Sequence, residues 1–154
     1  MMWAKVGLQI LMLPKLQFML LDEWMGLSFT SESITYSGVT VLNKKIYVSG
    51  GFDNEEKHPI RSVRYYDLGN DSWTSVANMT IGRFGHDLVQ ANGLLYAMGG
   101  LGCHVDEGNC YDLGSVDVHD PEEDTWTLGN QVEGEISEIS GQKSCVMMKY
   151  YLNL

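Results

Sequence analysis

Cysteine and positive charge are both scarce in this chain. Three cysteines, Cys103, Cys110 and Cys145, among 154 residues are too few for a disulfide framework. A single bridge from Cys103 to Cys110 is one option. The low count nevertheless points to a reducing compartment, so a cytoplasmic location is the expectation. The sequons Asn70-Asp71-Ser72 and Asn78-Met79-Thr80 fall where turns are expected and would matter only in a secreted chain. Between Phe84 and Gln142 there is no lysine or arginine, whereas aspartate and glutamate occur twelve times. With a net charge of −10, this argues against nucleic acid and anionic membrane as partners. It tolerates a basic peptide, and it also fits a merely solvated acidic surface. Long apolar runs are missing as well. The stretch from Met1 to Leu21 is broken by Lys5, Pro14, Lys15 and Gln17, too often to span a bilayer. Lys5 and the apolar run Val6 to Leu13 are not followed by a small-x-small cleavage site.

Reaction chemistry is equally thin. No nucleophile elbow accompanies the serines between Ser28 and Ser37. Cys103 and Cys110 are separated by six residues without a second ligand pair, which does not suit structural zinc. The acidic surroundings of these cysteines also argue against a thiolate sensor. Glu55-Glu56 and Glu122-Glu123 lie in loops and are expected to be solvated. The expectation is a chain that is not an enzyme and has neither metal nor cofactor.

What the chain does have is a repeat. Displaced by 49 residues, Trp24 falls on Trp73, Val39 on Leu88, Asn43 on Asn92, Tyr47 on Tyr96 and Gly50-Gly51 on Gly99-Gly100. Displaced by 53, Val63 falls on Val116, Asp67 on Asp120 and Asp71-Ser72-Trp73 on Asp124-Thr125-Trp126. The difference is a four-residue insertion between Gly100 and Val116, read as a surface loop. A period near 50 residues is the sign of a repeat architecture. Each unit reads as short strands separated by turn chemistry: Val39–Leu42, Ile46–Ser49, Ser62–Asp67 and Ser72–Val76, then Asp87–Gln90, Leu94–Met98, Ser115–His119 and Thr125–Leu128. Asn92-Gly93 is a hairpin signal. Helical periodicity is not convincing outside the first 20 residues, and there Leu8, Leu11, Leu16 and Met19 do not hold one face well.

Four strands per unit of this length make one blade of a β-propeller. A strand ending in Gly-Gly, then Tyr-Asp, then Trp resembles the kelch repeat. The matching residues are Gly50, Gly51, Tyr66, Asp67 and Trp73, then Gly99, Gly100, Asp120 and Trp126, with His119 where the family usually has Tyr. All have structural readings. The glycines allow close backbones and unusual dihedrals, the tryptophans act as packing plates, and the aspartates accept turn N–H groups.

The expected fold is all-β, a partial kelch propeller of about two complete four-stranded blades with incomplete flanking units. The divisions are 1–21 apolar and outside the repeat, 22–36 an outer-strand remnant, 37–78 and 79–130 two repeats, and 131–154 an incomplete repeat. Such an arc is expected of a fragment, a truncated isoform or a faulty gene model.

The resemblance implies protein binding. The leading expectation is the substrate-recognition part of an adaptor for a cullin-type ubiquitin ligase, which would act through a BTB domain that is absent here. A cytoskeletal scaffold binding actin is the alternative, and a propeller oxidase a remote one. A sialidase reading is weakened by an arginine count of three. The partner face is expected where the links after Gly-Gly meet the links before inner strands. It would carry Asp53, Glu55, Glu56, Arg83, Asp106, Glu107 and Glu135, and would favour a protein or peptide of basic character. Arg83 either contacts an acidic ligand group, as the resemblance implies, or pairs with a local carboxylate. His86 reads as a buried hydrogen-bonding residue.

Overall fold

A computed structural model describes residues 17–20, 23–26, 34–104 and 109–129. Within these lie fifteen strands: β1 Gln17–Leu20, β2 Glu23–Gly26, β3 Ile34–Thr35, β4 Gly38–Leu42, β5 Lys45–Ser49, β6 Phe52–Asp53, β7 His58–Pro59, β8 Val63–Asp67, β9 Ser72–Val76, β10 Asp87–Ala91, β11 Leu94–Met98, β12 Leu101–Cys103, β13 Cys110–Asp112, β14 Val116–Asp120 and β15 Thr125–Leu128. No helix occurs among the described residues.

The chain divides into two units, Met1–Ser33 and Ile34–Leu154. In the first, β1 and β2 form an antiparallel hairpin in which Met19 is the register partner of Trp24. Among the described residues, strand pairing therefore begins at Gln17, within the stretch that the repeat pattern leaves unassigned. The second unit contains two four-stranded antiparallel sheets in the orders β4-β5-β8-β9 and β10-β11-β14-β15. These are two propeller blades, and the fold is an all-β partial propeller. Residues 131–154 lie outside the described residues.

Local chemistry sets each blade. Asn43 and Lys44 both have positive φ, 51° and 62°, and close the β4–β5 hairpin. Asn92 and Gly93, at 51° and 81°, do the same for β10–β11. Two left-handed residues in succession give the turn twist that matches paired strands. At the outer hairpins, the Asp67 carboxylate accepts from the Gly69 N–H and from Asn70 Nδ2 at 2.8 and 2.9 Å. The Asp120 carboxylate accepts from the Glu122 and Glu123 N–H groups. The Tyr66 hydroxyl donates to Asp71, and in the second blade His119 Nε2 meets Asp124 Oδ1 at 3.1 Å. Histidine thus substitutes for tyrosine as a ring that reaches the turn carboxylate. The Ala77 N–H donates to the same Asp124 oxygen, which ties the end of the first blade to the second. This N–H first, and His119 after it, hold the Asp124 carboxyl below the usual carboxylate range.

Alternation divides each strand between two faces. Leu42, Tyr47 and Val63 of the first blade and Leu88, Leu95, Ala97 and Trp126 of the second form one buried cluster, joined by Met79 of the connecting link. Tyr96, Met98 and Val116 form a second cluster on the opposite face of the second blade. The blade-to-blade junction is therefore the main core, and it places the links at one end of both blades.

The glycine pairs serve that junction. A Cβ on Gly50 would stand 2.4 Å from the Arg83 carbonyl oxygen, and one on Gly100 would stand 2.6 Å from that of Phe84. Gly51 N–H donates to the Arg83 carbonyl at 2.9 Å. All four glycines have positive φ. The link between the blades passes against bare backbone, where a side chain has no room.

Candidate partner-binding face

Strand β5 runs from the Lys44 turn to Gly50, so the segments after the glycine pairs emerge at the end of the blades away from Lys44. A small sheet and a hairpin cover that end. Strands β3, β6 and β7 form a small sheet of order β3-β6-β7, and β12 pairs with β13 in a hairpin. Phe84 joins them to the inter-blade link. Its N–H donates to the Leu101 carbonyl at 3.0 Å and its carbonyl accepts from the Leu101 N–H at 2.8 Å. The Gly85 N–H donates to the Tyr36 carbonyl at 2.9 Å.

Aromatic rings gather on this surface. Phe52 and Phe84 meet edge to face with centroids 5.2 Å apart, and Tyr36 lies 6.2 Å from Phe84. Tyr36 is 56% exposed. On the hairpin, His104 and Tyr111 have ring centroids 4.8 Å apart, and both residues are exposed. Rings of this kind offer large contact area at low entropic cost.

Acid borders the rings. The Asp53 carboxylate accepts from the Glu55 and Glu56 N–H groups at 2.8 and 3.0 Å, which folds the β6–β7 turn and directs both glutamates to solvent. These two N–H groups hold the Asp53 carboxyl below its ordinary range. Asp112 adds a fourth exposed or half-exposed carboxylate, while the exposed cations of these segments are Lys57 and Arg61. Asp106, Glu107 and Glu135 lie outside the described residues.

Arg83 is not on this surface. It is 0% exposed, a residue of the link whose side chain is buried against the second blade. Its Nη1 donates to the Gly99 and Ser115 carbonyls, both at 3.0 Å, and its Nη2 donates to Ser115 Oγ at 3.2 Å. Nη2 also lies 3.4 Å from Asp117 Oδ2. Asp117 is 0% exposed too, and it accepts from the Thr80 N–H and hydroxyl and from the Ile81 N–H. Of the two readings of Arg83, pairing with a carboxylate is the one the structure contains. Desolvation explains the correction, since a buried guanidinium is held only where carbonyls and a carboxylate satisfy it. Ser115 and Asp117 are partners that sequence reasoning missed. The available signal was Asp117 itself, a carboxylate between Val116 and Val118 in a strand that alternates inward.

His86 is buried at the same junction, with Nε2 2.8 Å from Ser49 Oγ. Burial, and after it the Arg83 charge, lower its pKa from 6.5 to about 3. The unfolded chain therefore binds a proton that the folded chain refuses between these values. His86 contributes full stability above pH 6.5, and this is lost as pH falls toward 3. Between pH 6 and 4, unfolding free energies of the wild type should fall more steeply than those of His86→Gln, by about 1 kcal/mol per pH unit. Urea titrations at several pH values measure this. Equal slopes would refute it. Neighbouring Asp87, whose carboxyl burial pushes up, is common to both proteins.

Among the described residues no three metal-type side chains cluster, and no helix is long and apolar enough to cross a membrane.

Comparison with known proteins agrees with this fold. A family model of the kelch motif matches residues 34–80, which cover the first blade. Kelch-like protein 26 of Danio rerio is 30% identical over 119 residues, covering 76% of this chain and 19% of that protein. The chain belongs to the kelch-repeat family. Among other kelch relatives, alpha-scruin of Limulus polyphemus is 28% identical over 70% of this chain and 12% of its own length. The kelch repeat and BTB domain-containing protein 12 of Homo sapiens is 28% identical over 70% of this chain and 19% of its own length. The chain thus spans less than a fifth of these relatives. The solved structure of YjhT superposes with a TM-score of 0.63 at 18% identity, covering 72% of this chain and 41% of that one, and supports the fold alone.

Proposed function

We propose that this kelch module recognises a basic segment of a partner protein on the face formed by Tyr36, Phe52, Phe84, Asp53, Glu55 and Glu56. The observation that carries the reading is the exposed Tyr36 ring beside two phenylalanines, bordered by carboxylates that outnumber the cations. An aromatic ring attracts a Lys or Arg head over its face, and the surrounding acid steers it there. In the whole protein, this module would select substrates for a cullin-type ubiquitin ligase. A BTB domain in the name of one relative supports that assignment. The role is one of binding rather than catalysis.

The test uses matched peptides of one length, one lysine-rich and one glutamate-rich, titrated by calorimetry at low and physiological salt. The lysine-rich peptide should bind preferentially, and more weakly as salt rises. Glu55→Lys/Glu56→Lys should weaken it about tenfold at low salt. Lys44→Ala, at the far end of the blade, should leave it unchanged. If Lys44→Ala alters affinity and the double reversal does not, the binding end is the other one.

A further inference from the structure

The β12–β13 hairpin is cross-linked. Cys103 and Cys110 are register partners, and their sulfurs are bonded. The insertion read as a plain loop is a stapled hairpin at the edge of the aromatic face. Two features make the staple removable. Cys110 is exposed and Cys103 half-buried, so a small thiol can approach without unfolding a blade. The hairpin's root is also held independently. Leu101 exchanges two backbone hydrogen bonds with Phe84, and the Leu113 N–H donates to the Gly100 carbonyl at 2.8 Å. Beyond the root, one further backbone bond between described residues lies outside the strand ladder, from the His104 N–H to the Asn109 carbonyl at 3.0 Å. The sequence separation across the bridge is only 7, so it constrains the hairpin and little else.

We propose that the Cys103–Cys110 pair is a reversible thiol–disulfide switch that sets the order of β12 and β13 around His104 and Tyr111. Acid near the bridge disfavours a peroxide-sensing thiolate, but opening the bridge requires none from the protein. The attacking sulfur is that of an external dithiol. Its thiolate bonds to one bridge sulfur and the S–S bond breaks. Its second thiol then closes on the mixed disulfide, and the dithiol leaves as a cyclic disulfide, oxidised by two electrons. Cys103 and Cys110 become thiols, each with one proton. Closure is the reverse, with glutathione disulfide as oxidant and two glutathione thiols as products. Opening frees His104 and Tyr111 from the clamp, while Leu101 continues to hold Phe84. Any consequence for binding rests on the partner-face reading, but the switch itself does not.

The experiment treats the 154-residue chain with glutathione disulfide, then with dithiothreitol. Cysteines are mapped by alkylation and mass spectrometry, and backbone order by hydrogen exchange. The bridge should form, then open in the native state, with Cys103 and Cys110 alkylated while amides of β11 and β14 stay protected. Exchange around His104 should rise at least tenfold on opening. The double variant Cys103→Ser/Cys110→Ser should show the fast exchange without reductant. The proposal is overturned if the bridge does not form, if it opens only together with loss of β11 and β14 protection, or if exchange around His104 is unchanged on opening. None of these readouts requires the basic peptide to bind, so failure of the partner face and failure of the switch are separable.

Discussion

Replacing Arg83 with alanine should cost about 3–5 kcal/mol of folding stability, the usual result of breaking a buried ion pair from one side. The guanidinium gathers three groups that otherwise belong to different parts of the second blade. These are the Gly99 carbonyl after β11, Ser115 before β14, and Asp117 within β14. Asp117 in turn holds Thr80 and Ile81 of the link. Without Arg83, a carboxylate remains buried without its counter-charge, and two carbonyls lose a donor. Domains are stable by only about 5–15 kcal/mol, so the loss is a large fraction of the whole. Asp117→Leu should cost a comparable amount by stranding the guanidinium. Arg83→Ala/Asp117→Leu should cost clearly less than the sum of the two, because neither charge is then left alone. Urea denaturation of the three variants measures the coupling. A ligand-contact role predicts the reverse pattern, with stability unchanged and peptide affinity reduced. Additive effects on stability would remove the latch between link and blade.

The repeat was legible because its parts are local. Asn-Gly and Asn-Lys turns, the glycine pairs and the strands beside them are specified over a few residues, and period-2 alternation identifies their faces. The features at the partner end were not legible, because they depend on contacts between distant segments. Strands β3, β6 and β7 are only two residues each, too short to show alternation, and β12 pairs with β13 across a six-residue loop that reads as polar connection. Whether Cys103 and Cys110 face one another depends on register, which spacing alone leaves open. Arg83 illustrates the same limit. Its position before an inner strand was visible, but its burial depends on Gly99, Ser115 and Asp117, which are 16 to 34 residues away. His119 shows the converse, since a departure from the family's tyrosine keeps the hydrogen bond to the turn carboxylate and so leaves the blade intact.

Trp126→Ala should rank with Arg83→Ala in its effect, at about 3–5 kcal/mol. The indole is only 9% exposed and belongs to the cluster that joins the two blades. It stacks on His119 with centroids 4.8 Å apart, and His119 in turn faces Tyr47 of the first blade edge-on at 6.3 Å. Removing the ring opens a cavity between blades that rigid strands cannot close, and it withdraws the plate that holds His119 toward Asp124. Trp73, at the same place in the preceding repeat, stands differently. It is half-buried, with Tyr66 at 5.4 Å and the Arg64 guanidinium over its ring at 5.3 Å. It lies on the face of the first blade opposite Tyr47, away from the junction with the second blade. Trp73→Ala should therefore be destabilising but milder than Trp126→Ala. Chemical denaturation of both variants, followed by far-ultraviolet circular dichroism, gives the comparison. A neutral Trp126→Ala would refute the packing-plate reading of this repeat position. A loss at Trp73 equal to or greater than that at Trp126 would move the principal apolar junction to the other face of the first blade.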